Sequence, residues 1–145
     1  MKQLFTVEHL AKLIDACLED VDEGGSKLFD LSQLFHCLGD ATGDPLYDAF
    51  VPILGSFGSE IISFRPLVFL PILPEPTRKK FQTTFNDAIN GCKEALLILK
   101  TQLCKNDSVD FKEILRSLSI LGKHDYNLTM SRSTLTRPSS TGPEE

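Results

Sequence analysis

The stretch Asp44–Pro76, DPLYDAFVPILGSFGSEIISFRPLVFLPILPEP, is the most apolar part of this chain and decides how it folds. So much apolar surface has to be buried, but its prolines and glycines argue against one long uninterrupted helix. Asp44-Pro45 is a typical helix start, and the apolar spacing after it is helical. We therefore predict a helix that begins here, followed over residues 65–76 by a proline-interrupted apolar connector. That connector is extended or irregular, with a short edge strand as the alternative.

Four further helices are predicted outward from this stretch, because apolar residues recur at intervals of three and four. They cover residues 6–21, 27–38, 77–104 and 111–121, and glycines at positions 39 and 122 are expected to end the second and the last of them. The helix over residues 77–104 has a heptad-like seam, for which we favour a bundle helix over a coiled-coil strand. The predicted fold class is all-α, a bundle of about five helices.

The C-terminal segment lacks this apolar spacing. From residue 124 onward it reads HDYNLTMSRSTLTRPSSTGPEE and is rich in serine and threonine. Such a composition is typical of disordered chain. We predict a helical domain over residues 1–124 and a disordered tail over residues 125–145.

Composition sets bounds on function. The chain has 145 residues, 41% of them hydrophobic, which suits one globular domain. Its net charge of −5 argues against nucleic-acid binding. The N-terminal residues do not form a signal peptide, so we expect a cytoplasmic protein with reduced cysteines. The spacing of cysteines and histidines matches no metal site, and no cofactor motif is present, so neither metal nor cofactor is expected.

No catalytic motif accompanies the apolar stretch. The nucleophile elbow G-x-S-x-G, the phosphate-binding P-loop and the dinucleotide motif G-x-G-x-x-G are all absent from the sequence. A catalytic site needs convergent polar groups. We therefore expect a protein that is not an enzyme.

Two segments are similar to the glycolipid transfer protein superfamily. ACLEDVDE (Ala16–Glu23) resembles the end of that family's first helix, and FVPILGSFGSEIISF (Phe50–Phe64) resembles its next apolar run with one inserted residue. Arg65-Pro66 follows where the family has its headgroup-binding residues, and the chain has no tryptophan to stack on a sugar. The resemblance therefore implies only an apolar wall of a lipid groove. The residues that would form it are Phe50, Leu54, Phe57, Ile61, Ile62 and Phe64.

Two functions follow as expectations. The first is a non-enzymatic helical interaction or adaptor module, which binds a protein partner through Leu67, Phe69 and Ile72 of the connector. The second is a lipid-binding or intermembrane lipid-transfer protein, a divergent or truncated relative of the family above, with a lipid or a membrane surface as its partner.

Overall fold

The fold is described from a computed structural model over residues 7–69, 71, 73–104 and 109–136. These residues form five α-helices and contain no strand, so the predicted all-α bundle is confirmed. The helices are α1 (Val7–Asp20), α2 (Lys27–Thr42), α3 (Pro45–Val68), α4 (Glu75–Leu103) and α5 (Phe111–Thr136).

Successive helices run in opposite directions along the bundle. Helix α3 contacts α2, α4 and α5, whereas α1 lies against α2 and α4. Helices α3 and α5 are therefore parallel neighbours, and their hydrogen bonds keep the same order along both: Ser56 pairs with Asp125, and Glu60 pairs with Arg132. The starts of α3 and α5 thus share one end of the bundle, and the turn between α3 and α4 lies at the other.

One apolar core joins all five helices. The buried face of α1 consists of Leu10, Ile14 and Cys17, which follow the spacing expected of an amphipathic helix. Helix α4 packs against three neighbours, so it is a bundle helix as predicted. Its buried residues include most of the predicted seam, namely Phe81, Phe85, Ala88, Ile89, Cys92, Leu96 and Leu99.

Helix ends agree with the sequence at the start of α3 and differ at the end of α2. The Asp44 carboxylate accepts a hydrogen bond from the Leu46 amide at 3.0 Å, as expected of a capping residue. Helix α2 continues past Gly39 to Thr42, and it is capped by Gly43, whose φ of 72° is left-handed. Gly39 instead allows close approach of α3, because a Cβ there would collide with the Asp48 carboxylate.

The predicted connector begins too early. Helix α3 continues through Pro52 and Pro66 to Val68, so residues 65–68 are helical. A proline removes the hydrogen bond to the carbonyl four residues earlier. Here those carbonyls belong to Asp48 and Ile62, both on the exposed side of α3, where water can solvate them. Burial of Val68 holds the last turn in place. Ile72 lies outside the described residues.

The predicted disordered tail also begins too early. Helix α5 passes Gly122 without interruption and extends to Thr136, so residues 125–136 are helical. Leu128 is fully buried, and both Asp125 and Arg132 bond to α3. These contacts stabilise a segment whose own composition favours neither helix nor burial. Residues 137–145 lie outside the described part of the chain.

Candidate functional site

The predicted lipid wall forms part of the core. Its five members other than Ile62 are at most 1% exposed. Phe64 contacts the ring of Phe81 edge-on at 5.5 Å and stacks on Phe85 at 6.0 Å between ring centroids. At the other end, Phe50 packs edge-on against Phe35 at 5.8 Å. These side chains therefore fill the space between the helices with one another, whereas Ile62 is 45% exposed on the outer side of α3.

The predicted partner-binding residues lie at the C-terminal end of α3. Leu67 is half-buried against the core, and Phe69 is 68% exposed. The Phe69 amide donates to the Pro66 carbonyl at 3.2 Å, which fixes the backbone where the helix ends. The third residue of that set, Ile72, is not among the described residues.

An apolar groove lies between the beginnings of α3 and α5. We call it the α3–α5 groove; its volume is about 210 Å³. Phe111 and Leu115, one turn apart on α5, are 61% and 47% exposed in it. The remaining lining residues are Asp44, Pro45, Leu46, Ala49, Phe50, Ile114 and Leu118. In the sequence, Phe111 and Leu115 belong to the apolar repeat that predicts the last helix. No local signal distinguishes an apolar residue that lines a groove from one that is buried.

Two capping carboxylates lie at the beginnings of the two helices that form the groove. Asp44 caps α3, and the Asp110 carboxylate accepts from the Lys112 amide at 3.0 Å at the beginning of α5. The Asp110 amide donates a hydrogen bond to the side-chain oxygen of Gln102 at 2.8 Å. Two carboxylates at fixed positions therefore stand beside an open apolar surface.

A polar cluster connects α3 and α5 farther along. Arg132 donates two hydrogen bonds to the buried carboxylate of Glu60, at 2.8 and 3.1 Å. One turn earlier, the Ser56 hydroxyl donates to Asp125 at 3.0 Å. Burial, followed by the nearby Glu60 charge, raises the pKa of Asp125, and the Ser56 hydrogen bond opposes this shift. Every group in this cluster has a partner, which indicates a structural role.

A second groove, about 550 Å³ in volume, runs between α4 and α5 and is mainly polar. His124 crosses it against Gly91, where any Cβ would collide with the imidazole ring. Its Nδ1 atom is buried and has no hydrogen-bond partner in the described part of the chain. Asp87 and Glu94 line the same groove. Burial and the neighbouring Lys123 charge lower the pKa of His124 below its usual 6.5, although both carboxylates act in the opposite direction.

This histidine makes stability depend on pH. Because the folded pKa of His124 lies below that of the unfolded chain, the unfolded state binds the proton first as the pH falls. The free energy of unfolding should therefore decrease from a pH of about 6.5 downward, through the folded pKa. His124→Gln should reduce this decrease in urea titrations at several pH values, with His36→Gln, an exposed histidine on α2, as the control. Equal slopes for His124→Gln and the unchanged protein would contradict the prediction.

Two of the cysteines are thiols enclosed in the core. All four are free; Cys17 and Cys92 are buried, and Cys17 donates to the Lys27 carbonyl at 3.3 Å. Burial raises the pKa of Cys17 to about 12 and that of Cys92 still further. A thiol must be deprotonated to act as a nucleophile, so these two are unreactive at neutral pH.

Two further classes of site were sought in the described residues. No group of three or more histidine, cysteine, aspartate and glutamate side chains there is arranged to hold a metal ion. None of the described helices combines the length and the apolar character needed to cross a membrane.

No protein-family model, curated protein or solved structure matches this chain. The resemblance to the glycolipid transfer protein superfamily is thus neither supported nor refuted by relatives.

Proposed function

We propose that this chain is a non-enzymatic helical interaction module that binds a basic amphipathic helix of a partner protein in the α3–α5 groove. The observation that carries the proposal is the pair of exposed side chains Phe111 and Leu115, one helical turn apart beside Asp44 and Asp110. Apolar anchors at this spacing match the repeat of an incoming helix. The two carboxylates favour lysine or arginine on the polar face of that helix.

The shape of the groove favours a helix over an enclosed small molecule. Pockets that enclose small ligands usually measure about 300–1,000 Å³, whereas this groove measures about 210 Å³. The core beneath it is filled by Phe50 and Phe35 in edge-on contact. A partner would therefore lie on the surface of the groove, with its apolar side chains between α3 and α5.

Lipid binding is the second candidate, and one observation favours it. Phe50 belongs to the lipid wall implied by the sequence resemblance and also lines the α3–α5 groove. An acyl chain could lie along Leu46 and Phe50 without displacing the core. The Asp44 carboxylate, which lines the groove, opposes this occupant when the lipid headgroup is anionic.

The proposal predicts charge-selective binding of a model helix. Two fluorescent peptides with the same apolar repeat would be compared by anisotropy, one with lysine and one with glutamate on the polar face. The lysine peptide should bind, and Leu115→Asp should weaken it about 30-fold, the size of an interface hot spot. Leu97→Asp is the matched control, because Leu97 is 52% exposed on α4, outside the groove.

Three outcomes would overturn this assignment. Equal binding of both peptides would show that the charges of Asp44 and Asp110 do not contribute to peptide binding. An equal loss in Leu97→Asp would place the binding elsewhere. Binding of a fluorescent fatty acid that is lost in Leu115→Asp, without peptide binding, would establish the lipid candidate instead.

A further inference from the structure

The turn between α3 and α4 combines exposed apolar and cationic side chains. We call it the α3–α4 corner and define it by Leu67, Phe69, Arg78, Lys79 and Lys80. Phe69 is the most exposed large apolar side chain among the described residues. Residues 65–80 carry four cationic side chains and a single carboxylate, although the whole chain has a net charge of −5. The corner is thus a local positive region on an acidic protein.

The three cations at the start of α4 are free to meet an external charge. Arg78, Lys79 and Lys80 form no ion pair with any described residue, whereas Lys93 and Lys100 are each paired with a carboxylate of the α1 region at 2.7 Å. Lys79 and Lys80 are exposed, and Arg78 is half-buried. Unpaired cations clustered beside an exposed aromatic residue indicate an anionic partner.

The placement of these groups along the bundle axis is ordered. Phe64 and Phe81 are in contact, which aligns α3 with α4. With a rise of about 1.5 Å per residue, Phe69 lies about 8 Å beyond this contact and the two lysines about 2–3 Å beyond it. The backbone of Phe69 therefore lies about 5 Å farther along the bundle axis than the backbone of the two lysines. This order matches a bilayer surface, where apolar groups lie below the level of the anionic headgroups.

We infer that the α3–α4 corner binds an anionic membrane surface, with Phe69 inserted and Arg78, Lys79 and Lys80 at the phosphate level. The high exposure of Phe69 suits a bilayer better than a protein partner, because protein anchors are usually held in pockets. The proposal is independent of the α3–α5 groove, since that groove lies at the other end of α3. Insertion of a single ring is reversible and does not span the membrane.

Vesicle flotation with the full chain tests the proposal. One set of vesicles would contain phosphatidylcholine only, and in the other a third of the lipid would be phosphatidylserine. We expect binding to the anionic vesicles alone, and weaker binding once salt screens the surface charge. Lys79→Ala/Lys80→Ala should lower the partition coefficient about 30-fold, since each surface cation contributes about fivefold. Phe69→Ser should lower it about 10-fold by removing the inserted ring.

Matched variants keep the test specific. Lys12→Ala/Lys112→Ala removes two exposed lysines elsewhere, and Tyr126→Ser removes a 62% exposed aromatic side chain on α5, next to the level of Ser56 and away from the corner. Both should retain binding within about threefold, because screening limits distant charges. The proposal is overturned by equal binding to both vesicle types, by no binding to either, or by control variants that lose as much as the corner variants.

Discussion

Phe64→Ala is expected to lower the free energy of unfolding by about 3–5 kcal/mol, the range for removing a buried aromatic ring. Phe64 has no exposed surface and contacts the rings of Phe81 and Phe85, so its ring joins α3 to α4. Its loss leaves a cavity that two further rings cannot fill without leaving their own contacts. Urea unfolding followed by circular dichroism would measure the change. Phe64→Leu, which refills part of the volume, should lose less.

The control for Phe64 is Phe69, five residues along the same segment. Phe69→Ala removes the same ring from a position that is mostly exposed, and should change the free energy of unfolding by no more than about 0.5 kcal/mol. The pair also bears on function. If Phe64 instead lined a lipid cavity, its replacement by alanine would enlarge an existing space, and a much smaller loss of stability would be observed.

Ending the chain at residue 124 is expected to lower the free energy of unfolding by at least about 4 kcal/mol. The truncation removes Leu128, which is fully buried, and leaves the buried Glu60 carboxylate without Arg132. It also removes Asp125, the acceptor of the Ser56 hydrogen bond. A chain that ends at residue 136 keeps all three contacts and is the matched control. Both chains would be unfolded with urea under the same conditions.

Point variants in the full chain separate the contributions to this loss. Leu128→Ala should lower the free energy of unfolding by about 2–4 kcal/mol through the cavity it leaves. Arg132→Ala should lower it by about 1–3 kcal/mol, below the full value for a buried pair because Arg132 is partly solvated. Arg132→Lys should lower the free energy of unfolding by less than Arg132→Ala does. It should still be less stable than the unchanged protein, since a lysine cannot make the bidentate contact. If both truncated chains unfold at the same urea concentration, the result would support the predicted domain boundary at residue 124 and contradict a stabilising role for residues 125–136.

Local sequence signals predicted several elements correctly. The spacing of Leu10, Ile14 and Cys17 defined α1 and its buried face, because helical periodicity places such residues on one side. Asp44-Pro45 marked the beginning of α3 through capping chemistry that involves only adjacent residues. These signals depend on interactions within one or two turns and can therefore be read without a neighbour.

The sequence predicted the candidate sites less well than it predicted the helices. The six-residue apolar wall was predicted as one surface, yet Ile62 faces outward while Phe57 and Phe64 are enclosed by other helices. Phe111 and Leu115 of the α3–α5 groove follow the same apolar repeat as the buried Ile114 and Leu121 of that helix. Apolar character predicts that removing a side chain from water lowers the free energy. Apolar character does not predict whether the surface that covers the side chain belongs to this chain or to a partner.

The sequence alone determined an all-α protein, the start of each described helix to within a few residues, and the apolar faces that build the core. Tertiary structure decided how far two helices extend and which apolar residues remain outside. Helix α3 continues through Pro66 because Val68 is buried, and α5 continues to Thr136 because α3 provides Ser56 and Glu60 as partners. The reason is that propensity and capping act over a few residues, whereas burial and ion pairing depend on groups far away in the chain.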